Sequence, residues 1–163
     1  MTDTEPLEER LRFLSRIAEK EARLLQFTHD RLFAEEPDLT AERVQEWTAN
    51  DLTAEQLDAF VARFGRLQDT LGDKLLPGLL ELLGEKKGAA IDNLDKAERF
   101  GWIGSSDAWL LSRQLRNQMI HEYIEDAEIL ADALQQGRSQ VPLLAEATQK
   151  MLAEVEQRLK GRR

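Results

Sequence analysis

The chain has no cysteine, so neither a disulfide framework nor a thiolate metal site is open to it, a composition that fits a reducing cytosol. Histidine is nearly as scarce. His29 and His121 are the only two, and His121-Glu122-Tyr123-Ile124-Glu125 lacks the second histidine of a zinc-protease helix, so the sequence calls for no metal and no cofactor. No apolar run approaches the length of a transmembrane helix, and the acidic start Met1-Thr2-Asp3-Thr4-Glu5-Pro6 has no basic-then-apolar stretch behind it. A soluble, cytoplasmic protein without a membrane partner is expected. Gly84-Glu85-Lys86-Lys87-Gly88 lacks the Gly-Lys-Ser/Thr ending of a phosphate loop, and no glycine-rich dinucleotide fingerprint follows a strand. Finally, a formal charge of -9 works against non-specific coating of nucleic acid, because phosphate repulsion acts over the whole surface.

What is present reads as helix. Proline (four) and glycine (nine) are sparse, and Leu, Ala, Glu, Gln and Arg dominate, so the fold class expected is all-α. A length of 163 residues suits one domain spanning 1–163. Leu7, Leu11, Leu14, Ala18, Leu25 and Leu32 mark one apolar stripe on a first helix from Pro6 to Phe33. Residues 34–53 form a polar connecting segment with a short helix. Thr53, with Gln56 three residues on, matches a capping box for a second long helix carrying Leu57, Phe60, Val61, Phe64, Leu67, Leu71 and Leu75. Pro77-Gly78 should kink or interrupt it before Leu79 to Leu83, and Gly84 and Gly88 bracket a turn. A third helix is expected from Ala89 to Phe100, and a fourth, capped by Ser105 or Ser106, reaching about Gln135. After Gly137, Ser139 caps a last helix with Val141, Leu144, Met151, Leu152, Val155 and Leu159 along one side. Four long helices plus short ones, joined by short connections, imply an up-and-down bundle.

One stretch of the expected fourth helix concentrates chemistry. Arg116-Asn117-Gln118-Met119-Ile120-His121-Glu122-Tyr123 places a guanidinium, an amide, an imidazole and a phenol within eight residues. It also sits on a charge boundary: Trp109 to His121 has no acid, whereas Glu122 to Asp132 has no base. At 100° per residue, Asn117 and His121 lie within about 40° of each other, while Arg116 and His121 differ by about 140°. One regular helix cannot easily aim both at a single phosphate. A local distortion or a second, symmetric copy of the chain would resolve that geometry. Such a cleft suits metal-free RNA cleavage, with His121 taking the proton of a 2′-hydroxyl, Arg116 stabilising the added negative charge and Asn117 supporting by hydrogen bonding. DNA lacks that nucleophile.

Arg116, four intervening residues, His121, one residue and Tyr123, with Asn117 after the arginine, resemble the signature of HEPN-domain proteins, and most of all the HepT-like toxins. Phe64-Gly65-Arg66-Leu67-Gln68-Asp69 supplies supporting context, and the likeness covers about Phe60 to Leu134. The resemblance implies a HEPN-like helical homodimer acting as a metal-independent endoribonuclease toxin of a toxin-antitoxin system. It implies Arg116 and His121 as the catalytic pair and Asn117 as the supporting residue. Its partner would be a minimal nucleotidyltransferase antitoxin of the MntA kind, which transfers AMP to Tyr123. A non-catalytic docking or substrate-binding partner of a nucleotidyltransferase is the alternative within the same resemblance.

Other chemistry-bearing residues read as structural. His29 sits at the edge of the first apolar stripe, as a partly buried histidine would. Trp47, Trp102 and Trp109 have the character of core or interface aromatics, Trp109 being on nearly the same helical face as Arg116. Lys96 and Arg99 are exposed solubilising residues or positive charge lent to the cleft, and Lys160-Gly161-Arg162-Arg163 suits the negative end of a helix.

Overall fold

In a computed structural model, described over residues 5–121 and 125–161, the first apolar stripe forms one side of α1 (Glu5–Phe33), burying Leu11, Leu14, Ala18, Leu25 and Leu32. The chain continues through α2 (Ala41–Ala49), α3 (Asp51–Asp69), a π-helical segment (Thr70–Leu75), α4 (Leu76–Leu82), α5 (Ala90–Arg99), α6 (Ser106–His121) and α7 (Ala127–Leu159). No strand occurs among the described residues. Contacts between elements fix their directions. Arg63 of α3 reaches the Leu24 carbonyl while Gly78 of α4 lies against Leu11, so the α3–α4 run is antiparallel to α1. Gly72 meets Trp109 and Gly65 meets Arg116, so α6 is antiparallel to that run; Met119 on Gly137 and Ser112 on Gln140 set α7 antiparallel to α6. These stretches therefore alternate up and down around one apolar cluster in which Phe33, Phe60, Phe64, Leu71, Leu75 and Met151 are fully or almost fully buried.

Several helix boundaries differ from those expected. Thr53 does not cap α3; Asn50 does, its Oδ1 accepting from the amides of Leu52 (3.0 Å) and Thr53 (3.2 Å). The Thr53 hydroxyl instead donates to the Trp47 carbonyl at 2.7 Å, tying α3 to the end of α2. Asn50 is thus the hinge residue of both helices, a role its short amide suits. The regular α-helix is interrupted near Pro77 as expected, but upstream of the proline, which itself lies in the first turn of α4. Lacking an N–H, it leaves the carbonyl four residues back without its usual donor, and the chain absorbs the mismatch upstream in the wider turns of Thr70–Leu75, where the Leu76 amide bonds to Leu71.

The largest departure concerns the motif helix. Over the described residues it runs to His121 and does not continue to Gln135: Glu125 and Asp126 are not helical, and α7 starts at Ala127, its first turn capped by Asp126, whose Oδ1 accepts from Glu128 and Ile129. Gly137 is no break. It lies inside α7, where a Cβ would stand 3.4 Å from Met119 Sδ and Cε, so its small size admits the Met119 side chain. Ser139 caps nothing; its hydroxyl donates to the Gln136 carbonyl within the helix. The stripe Leu130, Leu134, Val141, Leu144 carries helical spacing straight through Gly137 and Pro142, and burial against α1 and α6 outweighs both residues' poor propensity.

Candidate functional site

Ser105 caps α6 from the position before it, its Oγ accepting from the Ala108 amide at 3.1 Å. The helix then divides into two faces. Trp109, Ser112, Leu115 and Met119 are buried, whereas Leu110, Leu111, Asn117, Ile120 and His121 are exposed. Arg113 and Arg116 lie between them, pointing toward α3 and the π segment.

There the two helices mesh by size and charge. Trp109 lies over Gly72, with ring atoms 3.3 Å from where a Cβ would be, and Arg116 lies over Gly65, its Nε at 2.7 Å from the same kind of point. Arg113 Nη2 donates to Asp73 at 2.9 Å, and Arg116 Nη1 donates to Asp69 at 2.7 Å. Glycines thus admit the large side chains of α6, and acids four residues apart meet arginines three apart. Arg116 Nε is buried and carries no hydrogen bond, so the side chain is held by one charge-assisted contact and by steric fit.

Arg116 and His121 line one open groove of about 560 Å³ between α3 and α6, together with Asp58, Val61, Ala62, Gly65, Arg66, Asp69, Met119, Ile120 and Glu125. Its floor is apolar and its rim carries charges of both signs. Arg116 contributes from the inside, with its side chain 26% exposed, and His121 from the last turn of α6, where it is exposed. The 140° separation expected on a regular helix thus leaves the two at different depths of one groove. Asn117 is not among the lining residues; it shares the outward face with His121. Tyr123 lies outside the described residues.

The sequence marked Gly65 and Asp69 only as part of the stretch Phe64–Asp69 that accompanies the resemblance, with no role for Asp69, which anchors Arg116, or for Gly65, which makes room for it. A further linear signal is the acid-and-glycine pattern Gly65, Asp69, Gly72, Asp73, which takes meaning once α6 is laid across it.

The remaining candidates fall elsewhere. Lys96 donates to the Lys86 carbonyl and lies 3.8 Å from Glu85, at the α4–α5 connection rather than in the groove. Trp47, Trp102 and Trp109 are buried. His29 packs near the Phe33 ring with Nδ1 at 3.0 Å from Asp30, and this hydrogen bond, with a second from Gln26, holds the Asp30 carboxyl below its ordinary value. Asp126 is committed to capping and Asp132 accepts from Gln136 at 2.9 Å. Among the described residues no group of three potential metal ligands converges, and no helix is long and apolar enough to cross a membrane. No family model, no curated protein and no solved structure matches this chain.

Proposed function

We propose that this chain is a metal-independent endoribonuclease of the HEPN type, a HepT-like toxin that works as a homodimer. The observation that carries the reading is the shared groove: a guanidinium and an imidazole, able to stabilise phosphoryl charge and to take a proton in metal-free phosphodiester cleavage, line one cleft. His121 takes the proton from a ribose 2′-hydroxyl; the 2′-oxygen attacks phosphorus; and the bond to the 5′-oxygen breaks, that oxygen taking a proton from water. The products are a 2′,3′-cyclic phosphate and a 5′-hydroxyl. Arg116 stabilises the extra charge on the phosphoryl oxygens.

Dimerisation is supported by the outward face of α6. Leu110, Leu111 and Ile120 are exposed there beside Asn117 and His121, and a second copy placed across this face would cover them and bring a second His121 to the cleft. Tyr123, two residues beyond His121 in the sequence, is the proposed acceptor of AMP from a nucleotidyltransferase antitoxin, a modification that adds a bulky anion to the motif and would oppose RNA binding.

Incubation of the purified chain with total RNA in EDTA tests the reading. Cleavage that is lost in both Arg116→Ala and His121→Ala supports it; no cleavage under any condition removes it. A second reading, a non-catalytic docking partner of a nucleotidyltransferase, is favoured by the Arg116–Asp69 bond, since RNA must compete with a carboxylate for that guanidinium. It predicts intact partner binding and no RNA products. Transfer of AMP to the wild type but not to Tyr123→Phe, read by mass, tests the modification under either reading.

A further inference from the structure

The groove has two chemically different halves. Because α3 and α6 run antiparallel, moving from Asp69 back toward Asp58 passes from the Arg116 end toward the His121 end. Seven residues separate Gly65 from Asp58, about 10 Å along the helix. Over that distance Val61, Ala62, Met119 and Ile120 supply apolar wall and α3 contributes the exposed carboxylate of Asp58; Arg66, next to Gly65, and Glu125, four residues after His121, are the other charged residues that line the groove without a place in the Arg116–Asp69 pair. Among the described residues no cation forms an ion pair with Asp58, in contrast to Asp69 and Asp73, which the two α6 arginines hold.

We infer that this half of the groove is a nucleobase slot that selects guanine, with Asp58 as the acceptor that reads it; the inference rests on the ribonuclease reading of Arg116 and His121. Apolar walls next to a phosphate-binding cation accommodate a base by its faces, leaving its edge to the groove end. An ionised carboxylate offers two acceptors and no donor. Guanine alone presents two adjacent donors, N1–H and N2–H, on its Watson–Crick edge. Adenine and cytosine set one amino donor beside a ring-nitrogen acceptor, and uracil flanks its single N3–H with two carbonyl oxygens, so each of these turns lone pairs toward the carboxylate.

The order of groups along the groove also fixes which nucleotide is read. His121 lies toward the base end and Arg116 toward the other, so the guanosine is the nucleotide whose 2′-hydroxyl attacks. Cleavage falls on its 3′ side and leaves guanosine 2′,3′-cyclic phosphate.

Titrating the purified chain in EDTA with the 3′-monophosphates of guanosine, adenosine, cytidine and uridine, followed by calorimetry, tests the slot. Guanosine 3′-monophosphate should bind about 10-fold or more tightly than the uridine compound, as one bidentate edge contact provides. Asp58→Asn, an exposed substitution whose helicity is checked by circular dichroism, should erase most of that preference, because an amide offers one donor and one acceptor. Equal binding of all four compounds, or a guanine preference that survives Asp58→Asn, overturns the inference. Mapping the ends of RNA digested in EDTA separates this failure from failure of the underlying reading. Cleavage without base preference removes the slot and leaves the ribonuclease standing, whereas selective guanosine 3′-monophosphate binding without cleavage keeps the slot and removes the ribonuclease.

Discussion

Replacing Gly65 with alanine would separate the site from the fold. A Cβ there would stand 2.7 Å from Arg116 Nε and 3.3 Å from both Cδ and Cζ. Ordinary contact begins near ~3.5 Å, so the arginine must retreat by about 0.8 Å, pulling against an Asp69 bond that is 2.7 Å long. Two opposing effects act on stability. Removing a mid-helix glycine stabilises by about 0.5–1 kcal/mol, while overpacking costs about 1–3 kcal/mol. The low end of that cost applies, because the displaced atoms belong to a long side chain with 26% of its surface exposed. The net change is therefore within about 1 kcal/mol of zero. No such cancellation protects the chemistry, where displacing a positioned group by ~1 Å costs on the order of 100-fold. Urea denaturation should give a midpoint near that of the wild type, and RNA cleavage in EDTA should fall about 100-fold. If stability and cleavage both stay at wild-type levels, Arg116 in its Asp69-held position is not the group that binds phosphate.

Other substitutions probe the scaffold. Arg138 of α7 donates to the carbonyls of Phe33, Glu36 and Pro37, each at 3.0 Å, and stacks 4.8 Å from the Phe33 ring, closing the end of α1. Arg138→Ala should cost about 2–4 kcal/mol, since the contacts are charge-assisted but not additive, and a loss below about 0.5 kcal/mol in urea would dismiss this closing role. His29→Ala should move the titration of the Asp30 carboxyl up toward 3.8, as followed by NMR. Because Asp30 titrates lower in the folded state, its contribution to stability is present above the ordinary carboxylate range and is lost as pH falls through the depressed value. It is small, because the Asp30 side chain is 63% exposed. An unmoved Asp30 titration in His29→Ala would show that the hydrogen bond does not persist in solution.

The sequence by itself determined that this protein is helical and, through its apolar spacing, which faces are buried. Leu11, Leu14, Leu25, Leu57, Phe60, Phe64, Leu71, Leu144 and Val155 were legible as core because helical periodicity is a local property, written every three or four residues. Local signals failed where two elements compete for the same residues. Thr53 resembles a cap, yet Asn50 serves α2 and α3 at once; Gly137 resembles a break, yet it is the space into which Met119 packs. Whether a glycine ends a helix or admits a neighbour depends on what lies opposite, and that information is distant in sequence. The site divides in the same way. Arg116 and His121 could be picked out from their spacing and residue types, but the bond to Asp69, the fit over Gly65 and the groove reaching to Asp58 join residues some fifty positions apart. Only the antiparallel docking of α6 on α3 brings them together, and it is that packing which sets the depth and direction of each charged group.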